Sequence, residues 1–115
     1  MPSNPSLINF FGPGFTQDLE KFTIMKADLM APSALPADKK YEFTPAAANT
    51  SESIFLALFL RAQANQDVSL DSQMVITDFQ PTLEYRYGRW QRVYSCSFTV
   101  YIDDLMSTFP NPNSV

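Results

Sequence analysis

The chain predicts an α+β fold: an antiparallel sheet of about four strands, with a long C-terminal hairpin packed on one helix and extended arms at both ends. Three observations carry this. Thr82 to Ile102 alternates with a two-residue period, Ile54 to Leu60 is a continuous apolar run followed by helix formers, and residues 1–17 and 105–115 carry no charge. At 115 residues the chain forms one core, large enough to remove roughly 65% of the unfolded surface from water. The expected organisation is an arm over 1–15, a single domain over 16–104 and a tail over 105–115.

Taken in order, residues 1–15 hold Pro2, Pro5, Pro13, Gly12 and Gly14, which argue against a regular element. Leu7, Ile8, Phe10, Phe11 and Phe15 make this segment too apolar for a solvated tail. Residues 16–31 admit two readings. Thr16-Gln-Asp-Leu-Glu can open a helix with Leu19, Phe22, Met25 and Leu29 at helical spacing, or Lys21 onward is a strand; the strand over 21–30 is preferred. Pro32 to Lys40 is a loop, and Tyr41 to Thr44 is a short strand stopped by Pro45.

Residues 49–66 are the one helix, capped by Asn49 or Ser51, with a buried strand as the alternative. Such an all-round apolar helix is expected to be buried against a sheet, with a second subunit as a further candidate to cover it. After a turn over Asp67 to Asp71, Gln73 to Phe79 is a strand, with Val75, Thr77 and Phe79 on one side and Met74, Ile76 and Asp78 on the other. Gln80-Pro81 marks a break. Leu83, Tyr85 and Tyr87 then alternate with Glu84 and Arg86, and Gly88 can supply the positive φ of a tight hairpin. Trp90, Arg92, Tyr94, Cys96, Phe98, Val100 and Ile102 fall on one face of a long last strand, which reads as the buried face.

Composition excludes several function classes. Ten Phe, five Tyr and one Trp suit a sheet, and nine Pro against three Gly suit extended connections. The net charge of −4 weighs against nucleic acid as the main partner. Without histidine the chain lacks the usual neutral-pH base and the commonest metal ligand. The lone cysteine, Cys96, cannot form an intrachain disulfide and reads as a small core residue. The three glycines make no phosphate loop. No apolar run reaches membrane-spanning length, and the start reads as no signal peptide. Tyr101-Ile102-Asp103-Asp104 spells the metal-holding tetrapeptide of reverse transcriptases, but no polymerase-sized chain surrounds it; the acids read as charge that ends a strand. No cofactor or metal is expected, and the chain is not read as an enzyme.

What remains is association. Arg86, Arg89 and Arg92 flank the hairpin turn beside Trp90 and several Tyr, a composition found at interface hot spots. In the helix–strand–hairpin order, Tyr85-Arg86-Tyr87, Trp90, Ser95 and Thr99-Val100-Tyr101-Ile102 resemble the closing strands of bacteriophage tail-terminator and tail-completion proteins. That resemblance implies a ring-forming virion subunit without an active site, assembled in the host cytoplasm. The expected partners are other copies of the chain, as a homo-oligomer, and other structural proteins of a tail, neck or baseplate. The expected interface residues are Phe10, Phe11, Phe15, Arg86, Arg89, Trp90, Arg92 and Phe109. The competing reading is a small cytoplasmic β-rich binding domain with a ligand or peptide on the Trp90/Tyr94 face.

Overall fold

A computed structural model of the chain describes residues 5–69, 71–104 and 108–115. The first four residues of the expected arm and residues 105–107 of the expected tail lie outside the described residues. The class is α+β, with helices α1 (Leu7–Phe11) and α2 (Ser51–Ala64) and six short strands among the described residues. Contacts group the chain into two compact units, residues 5–66 and residues 67–115. The division falls inside the span expected as one domain.

Residues 5–15 are not an extended arm. Leu7–Phe11 is a helical turn because the prolines bracket it rather than interrupt it. Ser6 caps it by accepting from the Asn9 backbone N–H, and Gly12 ends it at φ 111. A side chain at Gly12 would strike Asp28 as well as strain the backbone. The segment then runs into β1 (Thr16–Gln17), which pairs antiparallel with β2 (Phe22–Thr23). Asp18 shapes the connection, its Oδ1 accepting from the N–H groups of Glu20 and Lys21 at 2.8 and 2.9 Å. The strand expected over 21–30 therefore covers only Phe22–Thr23 and gives way to a 3-10 turn over Lys26–Leu29.

The helix expected over 49–66 is present as α2, but neither Asn49 nor Ser51 caps it. Asn49 is occupied with the preceding turn, accepting from the Ala46 N–H and donating to the Thr44 carbonyl. Thr50 takes the cap, its hydroxyl accepting from the Ser53 N–H at 3.2 Å. The helix packs against α1 and the 3-10 turn, and Ala57 joins Leu29 and Phe43 in a small buried cluster flanked by Ile24, Tyr41 and Leu58. Arg61 fastens three segments together by donating to the carbonyls of Asp28 and Asn9 at 2.6 and 3.2 Å. Tyr41–Thr44 forms no strand. Its side chains anchor it instead: the Tyr41 hydroxyl donates to the Leu29 carbonyl at 3.0 Å, and Phe43 is buried.

Residues 67–115 carry the remaining strands, in two two-stranded ladders rather than one four-stranded sheet. β3 (Met74–Ile76) pairs with β6 (Phe98–Val100), and β4 (Gln80–Arg86) pairs with β5 (Arg89–Ser95), all antiparallel. Gln80-Pro81 is no break; both residues pair, with Ser95 and Tyr94. The interruption lies elsewhere. Ile76 faces Phe98 while Gln80 faces Ser95, so residues 77–79 oppose only 96–97. One surplus residue on the first strand bends the ribbon, as a bulge does. Thr77 and Ser97 bridge the bend: the Thr77 N–H donates to the Ser97 carbonyl, and the Ser97 N–H donates to Thr77 Oγ1 at 2.8 Å. The long last strand thus becomes β5 and β6, separated at Cys96-Ser97. Cys96 is a free, half-buried thiol rather than a core residue.

Candidate interaction surface

The β4–β5 hairpin is set by its turn. Tyr87 and Gly88 both adopt positive φ, 53 and 77, so a two-residue loop joins the strands with the twist the ladder needs. That loop fixes the register: Tyr85 faces Trp90, Leu83 faces Arg92, and Pro81 faces Tyr94. Because side chains alternate, these six residues share one side of the ribbon. Thr82, Glu84, Gln91 and Val93 lie on the other.

The six-residue side is open. Leu83, Tyr85, Trp90 and Tyr94 are 60%, 60%, 70% and 62% exposed. Trp90 and Tyr94 are therefore not on a buried face. The less exposed positions of β5 are Gln91 and Val93, on the reverse side. The exposed rings hold one another in place: Tyr85 meets Trp90 edge to face at 5.4 Å between centroids, and Tyr94 meets Phe79 at 6.4 Å. Arg92 stands between Trp90 and Tyr94 on this side. Arg86 faces Arg89 across the tip, and its guanidinium lies 5.1 Å from the Tyr87 ring centroid.

The expected interface residues divide into two sets. Arg86, Arg89, Trp90 and Arg92 all lie on the hairpin, Trp90 and Arg92 on the aromatic side and the Arg86/Arg89 pair on the reverse side at the tip, and Phe109 is 79% exposed. Phe10, Phe11 and Phe15 belong to the other unit, Phe11 and Phe15 being half-buried. Phe10 is buried, and the three rings continue into Phe22 as a row of contacts at 4.9, 5.1 and 6.3 Å within their own unit. Alternation in the sequence also pointed to Leu83 and Tyr85 but not to their exposure. A second exposed apolar face lies on α2, where Phe55 and Leu56 are 69% and 50% exposed; an apolar run around the whole helix was its signal.

Asp103 and Asp104 border an open cavity of about 330 Å³ whose other wall includes Thr108, Phe109 and Pro110. Among the described residues no group of three or more His, Cys, Asp or Glu side chains could hold a metal ion, and no helix is long and apolar enough to cross a membrane. No family model, curated protein or solved structure matches the chain.

Proposed function

We propose that this chain is a non-enzymatic assembly subunit that joins polypeptides through the aromatic side of its β4–β5 hairpin. Its setting in this reading is a phage virion, as a tail, neck or baseplate component. The observation that carries the joining role is the exposure of Leu83, Tyr85, Trp90 and Tyr94 on one side of a ribbon. Two-stranded ribbons are marginal in water by themselves, and none of residues 80–95 is buried. Rigid aromatics with an adjacent Arg are the side chains that dominate binding energy at interfaces. The virion setting rests on the likeness of the closing strands to tail-terminator and tail-completion proteins.

The chain has one Trp, so Trp90 reports on its own surroundings. Sedimentation velocity over a wide concentration range should give species heavier than the 13.0 kDa monomer, with Trp90 emission moving to shorter wavelength as they form. Trp90→Ser should return the monomer with its circular dichroism unchanged. A monomer at every concentration, with Trp90 emission remaining that of a wetted indole, would overturn the reading.

A further inference from the structure

The hairpin has a complementary face on the same chain. Glu52, Phe55, Leu56 and Phe59 are spaced by three, four and seven residues, so they form one stripe of α2. Glu52 is exposed, as are Phe55 and Leu56. The Phe55 and Phe59 rings stack at 6.5 Å between centroids with 24° between planes, which presents a flat apolar strip one turn long. Ala57, which the helix buries in its own unit, belongs to a different stripe.

Resting on the assembly reading above, we infer that the partner of the hairpin is a second copy of this chain, and that the part engaged is the Glu52/Phe55/Leu56/Phe59 stripe of α2. Three observations select this occupant. A sheet face is ordinarily covered by another layer, and an exposed apolar helix stripe is such a layer. Charge agrees: the hairpin side carries Arg92 within its apolar patch, and the helix stripe carries Glu52 at its end. A contact between the aromatic sides of two hairpins would instead bring two Arg92 side chains together without a matching acid, Glu84 being on the reverse side. Area agrees as well. The exposed hairpin side chains offer ~500 Å² and the helix stripe ~300 Å². When each copy uses both, that reaches the ~800 Å² per partner of a standard interface.

The contact is unlike on its two sides, so it can be tested by complementation. Phe55→Asp destroys the helix stripe and leaves the hairpin intact, while Trp90→Asp does the reverse; both positions are exposed, so the fold tolerates them. Each variant alone should sediment as a monomer at concentrations where the unaltered chain associates. An equimolar mixture should recover a dimer containing one of each, because the intact hairpin of one meets the intact helix of the other. If Phe55→Asp associates as the unaltered chain does while Trp90→Asp does not, the helix is not the occupant and this inference fails, although the hairpin retains its joining role. If both variants are monomers and their mixture remains so, the inference fails as well. If neither substitution changes association, the inference and the hairpin reading fall together.

Discussion

Tyr41 holds the polypeptide between the helix and the 3-10 turn with a single hydrogen bond, from its hydroxyl to the Leu29 carbonyl. Burial raises the phenol above its ordinary value of 10.0, and the nearby Arg61 charge opposes part of that rise. The folded chain thus retains the Tyr41 proton more strongly than the unfolded chain does. Stability from this group is complete below the unfolded value near 10 and is lost as pH rises through the higher folded value. The melting temperature of the unaltered chain should therefore fall on the alkaline side by more than that of Tyr41→Phe. At neutral pH the unaltered chain should be the more stable of the two, because Tyr41→Phe removes a bond worth about 1 kcal/mol. Thermal denaturation of both chains across the alkaline range measures the two effects. Nothing in the sequence around Tyr41 announces this: Tyr41-Glu42-Phe43-Thr44 alternates like a strand, and only the third dimension shows that no neighbouring strand is there to pair with it.

At the scale of elements, the parts read correctly were those decided by neighbours in sequence. α2 follows from the length of the segment over 49–66 and from the helix formers after its apolar run, although its cap is Thr50 because Asn49 has a competing turn to satisfy. The hairpin follows from Gly88, whose positive φ only the turn requires. What was not legible depended on partners. Pro5 and Pro13 read as breakers, yet they leave room for one helical turn between them. Alternation from Trp90 to Ile102 says that two sides differ but not which one is covered, so Trp90 reads as buried in the sequence and stands exposed in the fold. The bend at 77–79 is invisible to alternation on the second strand, because the surplus residue lies on the first. Removing Asp78 should restore equal counts on the two strands and straighten the ribbon, keeping Ile76 opposite Phe98 and Tyr85 opposite Trp90. The expected outcome is a folded chain that associates at least tenfold more weakly, since ~1.4 kcal/mol suffices for that loss. Circular dichroism and sedimentation of the deletion chain check both halves of the statement; undiminished association would show that the bend has no part in joining.

At the scale of the whole molecule, each unit has its own modest apolar interior, with Leu29, Phe43 and Ala57 together in one and Ile76 buried in the other. The candidate surface was partly legible here too. The sequence names Arg86, Arg89, Trp90 and Arg92, which the fold places on one hairpin because they lie close along the chain. It also names Phe10, Phe11 and Phe15, whose rings pack within their own unit, because an apolar segment near a terminus looks the same whether it docks on its own unit or on another. The open aromatic side of the hairpin has a thermodynamic consequence of its own. If other copies cover it, association and folding are linked by mass action, and heat tolerance ceases to be a fixed property of the polypeptide. Dilution alone should lower the melting temperature of the unaltered chain, whereas Trp90→Ser should melt at the same temperature in dilute and concentrated solution, and scanning calorimetry on a dilution series reads that difference directly.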